Sequence, residues 1–298
     1  MEIVVRQTSG LGNQLFQYAA GQFLAKKHGG SFRIAHELDK NLHMHGAHRP
    51  VMLQKFSIAA PIRAADAFDR FILSVRPTYR LANSVVRVLK QIQIFREPPN
   101  ATATNKRPGF PIARSTRQVY LLGYWQDAAM VSEVEPELRR QLSLVEPLGA
   151  KSQAVLRQIR AAQHSVSLHL RRGDYLTVFG TSAVLPPDYY RAAVESMRSR
   201  FPSCEFFVFS DDAAYARELF GQDPCFRIVD HNDAQTAHED LMLMASCRHH
   251  IMANSTFSWW GAWLNPRADK VVIAPSQWLG FNTAHSIIAL PSWTLIEI

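Results

Sequence analysis

From about residue 149 onward, short apolar segments alternate with segments of helical periodicity, and this alternation constrains the fold more than any other feature. Strands are predicted at residues 165–170, 205–210, 226–229, 250–253 and 270–274, with helices between them and a turn at 171–186. A single helix is predicted at 127–143, before this region. Strands that alternate with helices form parallel sheets covered by helices on both faces. The C-terminal half is therefore expected to be a doubly wound α/β domain.

The N-terminal part of the chain opens in the same way. Residues 2–7 form an apolar segment, 9–14 a polar turn, and 14–28 a helix that ends at Gly29-Gly30. The sequence VEPLG at 145–149 is a natural linker between two halves. We therefore predict one α/β domain over residues 1–150 and a second over 151–298, which are domains of ordinary size.

Composition narrows the class of protein. Apolar residues make up 47% of the 298 residues, as in globular proteins. The three cysteines, Cys204, Cys225 and Cys247, have neither CxxC nor metal-ligand spacing, which is typical of reduced thiols. No apolar run reaches the roughly 18–20 residues of a membrane span, and no signal peptide is apparent. These features predict a cytoplasmic protein.

The net charge of +8 is concentrated in one region, since residues 61–118 hold eleven Lys and Arg residues against three acids. Residues 64–93 are predicted to be helical, and arginines and a lysine accompany an apolar stripe there. The stripe and its basic neighbours are Leu81, Val85, Val88, Leu89, Ile92, Arg80, Arg87 and Lys90. Nucleic acid, an anionic membrane, steering of an anionic substrate and a solvated face are the alternatives. We expect reversible peripheral contact with an anionic membrane and no nucleic-acid partner.

Three blocks carry polar groups at predicted strand ends. In HLRRGD, Arg171 and Arg172 follow a strand, and an arginine fork suits a diphosphate; Asp174 can orient one guanidinium. A surface turn with a salt bridge is the alternative. In GLGNQ at 10–14, a helix N-terminus suits an anion. The rival dinucleotide fingerprint has Leu15 where it needs a third glycine, although Glu37 could bind a ribose.

The third block comprises FSDD at 209–212, Glu239-Asp240 and ANSTFSWW at 253–260. Asp211 and Asp212 could bind a metal, accept hydrogen bonds from a nucleoside, or cap a helix. Ser255 and Thr256 could bind a phosphate, whereas Trp259, Trp260 and Trp263 are expected in the core. The histidines His36, His43, His45 and His48 match no standard metal pattern, and an ordered loop near a ligand is favoured there.

The order GLGNQLFQYA, HLRRGD, FSDD and ED-LM-C-H-ANSTFSWWGAWL resembles the bacterial α-1,2-fucosyltransferases from residue 9 to about 264. The resemblance implies a GT-B fold, with two Rossmann-like domains that face a cleft. It implies that the N-terminal domain binds the acceptor and the C-terminal domain binds GDP-fucose. It also implies inverting transfer of fucose from GDP-β-L-fucose to the 2-hydroxyl of a galactose in a glycan such as an O-antigen, without a required metal or other cofactor.

The resemblance also implies roles for individual residues. Arg171 is expected to hold the β-phosphate and Asn13 to lie near the transferred sugar, and these two are the predicted catalytic residues. His169 and Asp240 are expected to bind guanine. The other predicted donor-binding residues are Gly12, Arg172, Asp174, Asp211, Asp212, Asn254, Ser255, Thr256 and Phe257.

The sequence leaves the general base open among His36, Glu37, Asp39, Asp127 and Asp174. It also leaves two alternative functions. One is a metal-independent GT-B transferase that uses another nucleotide sugar. The other is a nucleotide- or glycan-binding module without turnover.

Overall fold

The computed structural model describes residues 1–36, 50–73, 80–97, 109–278 and 288–298, with the side chains of 73 and 80–83 excepted. The chain folds as two compact units: most of residues 1–145 form the first, and Pro50 with the residues from Glu146 onward forms the second. Each unit is built on one parallel sheet. No helix within these described ranges is long and apolar enough to cross a bilayer.

The N-terminal unit contains a five-stranded sheet of order β3-β2-β1-β5-β4. Its strands are β1 Glu2–Gln7, β2 Ser31–His36, β3 Ile62–Ala64, β4 Ile92–Arg96 and β5 Gln118–Leu122. Residues Ile3 to Val5 of β1 are completely buried, because β1 is the central strand and is covered on both faces. The helices are α1 Leu11–His28, α2 Ala67–Leu73, α3 Arg80–Leu89, α4 Ala128–Glu133 and α5 Glu135–Gln141.

The C-terminal unit contains a six-stranded parallel sheet of order β11-β10-β9-β6-β7-β8. Its strands are β6 His164–Leu170, β7 Cys204–Ser210, β8 Phe226–Val229, β9 His249–Ile251, β10 Val272–Pro275 and β11 Thr294–Ile296. Its helices are α6 Ala150–Ala161, α7 Gly173–Phe179, α8 Pro187–Arg200, α9 Ala213–Phe220, α10 Ala237–Ser246 and α11 Thr256–Leu264. The first strand, β6, lies in the middle of the sheet, with β7 and then β8 on one side and β9, β10 and β11 on the other. This is the strand order of a Rossmann fold.

Three tryptophans of α11 belong to the core, as the sequence predicts. Trp259 and Trp260 are completely buried and Trp263 nearly so. The rings of Trp259 and Trp260 meet edge to face, with centroids 5.1 Å apart. α11 is therefore apolar around most of its circumference, and it fills the space beside α10 instead of offering a sugar-binding platform.

Several predicted elements differ from the structure. Ala64 belongs to β3 and Ile92 is the first residue of β4, so the prediction that residues 64–93 are helical is wrong at both ends, and the apolar stripe stops at Leu89. The turn predicted at 171–186 contains α7. The single helix predicted over 127–143 is two helices that adjoin at Val134, and Pro136 lies in the first turn of the second. The predicted positions Glu37, Asp39, His43, His45 and His48 lie outside the described residues.

Candidate active site

The carboxyl ends of β6 and β9 form the topological switch point of the C-terminal sheet. The chain runs from β6 outward through β7 and β8, then returns to the other side of β6 with β9. Ligands of open parallel sheets bind in the crevice at such a point. Arg171 follows β6 directly, and Asn254 and Ser255 follow β9 at a distance of three and four residues. The predicted donor residues therefore lie at the edge where a ligand is expected.

Arg171 is held by two carboxylates. Its Nη2 donates to Asp174 Oδ2 at 2.6 Å, and its Nη1 lies 3.0 Å from Asp211 Oδ2. Its Cζ lies 5.4 Å from the centroid of the Tyr175 ring. The buried Nε of Arg171 has no hydrogen-bond partner among the described residues. The guanidinium is thus fixed in orientation and retains donors for an anion.

The register between β6 and β7 explains the pairing of Arg171 with Asp211. Leu170 lies opposite Ser210 in the ladder, so the next residues of the two strands, Arg171 and Asp211, also emerge side by side. The same register brings Arg172 beside Asp212, where Arg172 Nε lies 3.2 Å from Asp212 Oδ2. Two adjacent Arg–Asp ion pairs therefore lie just beyond the carboxyl ends of β6 and β7.

The two aspartates of FSDD have different roles. Burial opposes ionisation of Asp211, but the Arg171 guanidinium and the backbone N–H groups of Arg172 and Gly173 outweigh it and lower the pKa of Asp211. Asp212 instead caps α9, since its carboxylate accepts from the backbone N–H of Tyr215 at 3.0 Å. Both carboxylates are therefore engaged by cations or backbone donors in the protein itself.

Arg172 does not brace the turn through Asp174, as a simple interpretation of RRGD would suggest. Asp174 pairs with Arg171, because α7 begins at Gly173 and brings position 174 back over position 171. Arg172 pairs with Asp212 and lies over the ring of Tyr215, with Cζ 3.9 Å from the ring centroid. Arg172 thus packs outward against α9.

His169 is the second-last residue of β6, two residues before Arg171. Burial, reinforced by the charge of Arg171, lowers the pKa of His169 to about 3, so its ring is neutral at physiological pH. The ring lies 5.6 Å from that of Phe257, centroid to centroid. Nδ1 of His169 is buried and has no hydrogen-bond partner in the described part of the chain. A neutral imidazole with a free nitrogen beside an aromatic ring fits a nucleobase contact.

The segment after β9 is fixed by hydrogen bonds from two directions. The Asn254 amide donates to the Ala183 carbonyl at 2.9 Å, and the Tyr175 hydroxyl donates to the Asn254 carbonyl at 3.0 Å. Ser255 caps α11 by accepting from the backbone N–H of Phe257. Thr256 is the first residue of α11, whose N-terminus is thereby held at the switch point and favours negative charge.

The N-terminal unit has its own switch point, between β1 and β5. Two non-glycine residues there adopt left-handed backbone conformations: Ser9 with φ 68° after β1, and Trp125 with φ 56° after β5. Such conformations cost about 1–3 kcal/mol each and cluster at functional sites. They mark the crevice beside the GLGNQ turn as a second candidate ligand-binding region.

α1 begins at Leu11, so the turn predicted at 9–14 is confined to the residues before it, and the polar residues of GLGNQLFQ act mainly as clamps for this shorter turn. Gln17 is completely buried, and its amide donates to Thr8 Oγ1 and to the Gly123 carbonyl, both at 3.0 Å. Asn13 Nδ2 donates to Ser9 Oγ at 3.0 Å, and Asn13 Oδ1 accepts from Gln126 Nε2 at 2.8 Å. Gly12 is buried in the first turn of α1, which no side chain caps. Asn13 is thus oriented from both ends of its amide.

Glu97 contacts the backbone that follows β5. Its carboxylate accepts from the backbone N–H of Tyr124 at 2.5 Å. Gly123 makes this approach possible, since it has φ 151° and a Cβ there would lie 2.3 Å from that of Glu97. Burial raises the pKa of Glu97, while the backbone N–H groups of residues 124–126 oppose the shift. Glu97 therefore fixes the segment that presents Gln126 to Asn13.

The candidate bases that the structure describes differ in their availability. Asp127 caps α4 by accepting from Ala129 and Met130, and Asp174 pairs with Arg171. His36 ends β2; burial lowers its pKa, and its Nδ1 has no partner among the described residues. His36 is therefore the candidate that is neutral and uncommitted. Within the described ranges, no group of three His, Cys, Asp or Glu side chains could hold a metal ion.

Sequence reasoning did not identify Tyr175, Glu97 or Gln126 as members of these sites. Tyr175 directly follows RRGD, so a helical start at Gly173 would have placed it near Arg171. Glu97 and Gln126 contact partners that lie 27 and 113 residues away in the chain, and no local pattern could have revealed them.

Comparison with known proteins identifies the chemistry of these sites. A family model described as glycosyl transferase family 11 matches residues 103–297, which contain all the predicted donor-side residues except Gly12. The chain belongs to glycosyl transferase family 11. This membership agrees with the resemblance carried by the four sequence motifs and defines the protein as a glycosyltransferase.

Relatives of this family 11 protein come from bacteria and mammals. The α-1,2-colitosyltransferase of Escherichia coli is 29% identical to it and covers 99% of either chain. Human galactoside α-(1,2)-fucosyltransferase 1 is 27% identical over 96% of this chain and 75% of its own length. The fucosyltransferase NodZ from Bradyrhizobium has a similar structure, with a TM-score of 0.55 at 15% identity over 91% of this chain and 94% of that one. The structural likeness, with two parallel α/β sheets, confirms the predicted GT-B fold class.

Proposed function

We propose that this protein transfers L-fucose from GDP-β-L-fucose to the 2-hydroxyl group of a galactose residue in a glycan, with inversion at the anomeric carbon. The observation that carries the proposal is Arg171, which stands at the switch point of the C-terminal sheet and is oriented by Asp174 and Asp211. The names of the relatives support an α-1,2 linkage. The N-terminal unit would bind the acceptor and the C-terminal unit the donor.

The mechanism follows from the charge that develops during transfer. The departing diphosphate gains negative charge as the bond to the sugar breaks, and fixed cationic groups lower the energy of that state. Arg171 supplies a positioned guanidinium, and the N-terminus of α11 adds backbone N–H groups held by the Ser255 cap. His169 and Phe257 would contact the base. The acceptor hydroxyl would lose its proton to a base such as His36 or, late in the reaction, to the leaving phosphate.

A second donor is favoured by one observation, because a full-length relative is a colitosyltransferase. Colitose is fucose without its 3-hydroxyl group. A site that hydrogen-bonds a hydroxyl rejects the sugar that lacks it strongly, whereas an apolar pocket does so weakly. The test is a panel of GDP-fucose, GDP-colitose and GDP-mannose with a β-galactoside acceptor, followed by mass detection and linkage analysis. Turnover of GDP-fucose with a new α-1,2 linkage supports the proposal, and a clear preference for GDP-colitose would replace it.

We propose that the reaction requires no metal ion. Asp211 and Asp212, the acids placed where a metal could act, are paired with Arg171 and Arg172. Activity is therefore expected to survive EDTA at full rate. The measurement is GDP release with and without chelator. If chelation abolishes turnover and Mn²⁺ restores it, the two aspartates are metal ligands in the working enzyme.

We also propose peripheral contact with an anionic membrane through α3. Val85, Val88 and Leu89 of this helix are 51%, 77% and 75% exposed, which is unusual for large apolar side chains. Arg87 and Lys90 lie beside them, while the side chains of Arg80 and Leu81 are not among those described. An exposed apolar stripe flanked by basic residues is typical of a helix that lies in a membrane interface. The occupant proposed for this face is anionic lipid.

Liposome flotation tests this contact. Each basic residue near an anionic surface contributes about 1 kcal/mol, so binding should weaken steeply with salt. A Val88→Ser/Leu89→Ser variant should lose binding at low salt, as should Arg87→Gln/Lys90→Gln. Val145→Ser is the matched control, because Val145 is 62% exposed but lies outside α3. Equal flotation of all variants, or none by the unaltered protein, would contradict the proposal and leave steering of the anionic donor as the role of the basic region.

A further inference from the structure

Four side chains form a hydrogen-bonded chain at the carboxyl end of β8. Ser152 Oγ on α6 lies 2.8 Å from His231 Nε2. Asn232 Nδ2 donates to Ser152 Oγ at 3.3 Å and to Asp240 Oδ1 on α10 at 2.6 Å. The chain thus joins the loop after β8 to the first turns of two helices.

Asn232 is held in one orientation by this chain. An amide nitrogen has two hydrogens, and both are used, one for Ser152 and one for Asp240. Ser152 is completely buried, so the anchor on that side is rigid. Only Oδ1 of Asp240 is engaged, and the described residues offer no hydrogen-bond donor to its Oδ2. The carboxylate is therefore fixed in plane and leaves one oxygen available.

The pKa of Asp240 lies close to physiological pH. Burial raises the pKa of Asp240 to about 7, the hydrogen bond from Asn232 opposes the shift, and the charge of Glu239 reinforces it. His231 is close by in the network; burial lowers its pKa, with Glu239 and Lys151 as its charged neighbours. Two other elements, α11 and β7, also pack on α10, the helix of Asp240. α11 has no charged residue, and Glu205 of β7 is paired with Arg227.

Guanine presents N–H donors at N1 and at the 2-amino group. An ionised carboxylate only accepts hydrogen bonds and matches this edge, whereas a protonated one carries a competing O–H. The resemblance described above implies that Asp240 meets guanine, and this step rests on the proposed GDP-fucose function. A group that keeps Asp240 ionised and oriented would therefore control binding of the base.

We infer that Asn232 is a positioning residue for base recognition: its amide fixes the Asp240 carboxylate so that the free oxygen meets the N–H edge of guanine. Asn232 acts through Asp240 and need not touch the donor. Its loss should affect donor binding and its dependence on pH, and leave the chemical step and acceptor binding largely unchanged.

The test compares the unaltered protein with Asn232→Leu and with Gln235→Leu, an exposed position of the same loop. GDP and IDP, which lacks the 2-amino group, are titrated by calorimetry between pH 5.5 and 8.5, an interval chosen to span the pKa about 7 of Asp240. GDP affinity of the unaltered protein should fall as the pH drops below about 7, because protonation removes the acceptor. Asn232→Leu removes a hydrogen bond that favours ionisation, so the pKa of Asp240 should rise and this fall should begin at higher pH. At acidic pH, affinity should drop about tenfold for each pH unit by which that pKa rises.

Further measurements distinguish a positioning role of Asn232 from an effect on the stability of the protein. Asn232→Leu should also narrow the preference for GDP over IDP and raise the donor KM more than it lowers kcat, whereas Gln235→Leu should change neither. Asp240→Asn should remove the part of the fall that is due to Asp240, so its pH profile should be flatter than that of the unaltered protein. An unshifted pH profile in Asn232→Leu, or a profile in Asp240→Asn as steep as that of the unaltered protein, would overturn the inference. GDP binding with the expected profile but no sugar transfer would instead refute the proposed function alone.

Discussion

Replacement of Arg171 by lysine is expected to lower kcat/KM by roughly 30- to 900-fold, equivalent to about 2–4 kcal/mol of transition-state stabilisation. Lysine retains the charge but loses the planar fork that lets one side chain contact Asp174, Asp211 and a phosphate together. The ammonium would also be free to rotate away from the diphosphate. Steady-state kinetics with GDP-fucose and a β-galactoside measure the effect.

Two other arginines serve as controls for this substitution. Arg191→Lys alters an ion pair with Asp188 in which both side chains are largely exposed, so its kinetics should be normal. Arg172→Lys should cause a smaller loss than Arg171→Lys, because Arg172 packs against Asp212 and Tyr215. Near-normal turnover by a folded Arg171→Lys protein would show that Arg171 does not hold the leaving diphosphate.

Replacement of Asp211 by asparagine is expected to have the second largest effect. Asp211 neutralises Arg171 and accepts from the backbone N–H of Arg172 at 2.9 Å, in largely buried surroundings. Removal of one partner of a buried ion pair costs about 3–5 kcal/mol, and the remaining Asp174 pair should reduce this to about 2–3 kcal/mol. Chemical denaturation should show the loss in the free energy of unfolding, and kcat/KM should fall because Arg171 is less well oriented.

Asp212→Asn is the matched control in the adjacent position. Asparagine caps a helix about as well as aspartate, so α9 should keep its cap and lose only a partly exposed ion pair with Arg172. Its cost should be below about 1 kcal/mol. Equal destabilisation by the two substitutions would mean that Asp211 and Asp212 do not have the separate roles that their contacts indicate.

The alternation of strands and helices made the C-terminal fold predictable. Each of the five strands predicted between residues 165 and 274 overlaps a strand of the structure, since buried parallel strands are continuous apolar runs. β3 and β4 of the N-terminal unit were missed. β3 has three residues, and the apolar residues of β4 continue the spacing of α3, so periodicity could not separate a short edge strand from a helix end.

The candidate site was predictable where partners are close in sequence. Arg171 and Asp174 are three residues apart on a helical start, and their pairing follows from local geometry. The pairing of Arg171 with Asp211 depends on the register of β6 against β7, which composition and periodicity do not specify. For the same reason the sequence could not distinguish the cap at Asp212 from the ion-pair partner at Asp211. Asn232 and Asp240 are eight residues apart, one on a loop and the other on α10, and no regular spacing in the sequence connects them.

The buried amide of Gln17 has a consequence for the order in which the protein can acquire its shape. It donates to the carbonyl of Gly123, 106 residues further along the chain. During synthesis, the GLGNQ turn leaves the ribosome long before β5 exists, and long-range contacts of this kind form late. The turn therefore lacks this hydrogen bond until a further 106 residues, more than a third of the polypeptide, have been synthesised. A truncated nascent chain that ends before Gly123 should leave the backbone around Ser9 open to amide exchange, and extension past β5 should close it.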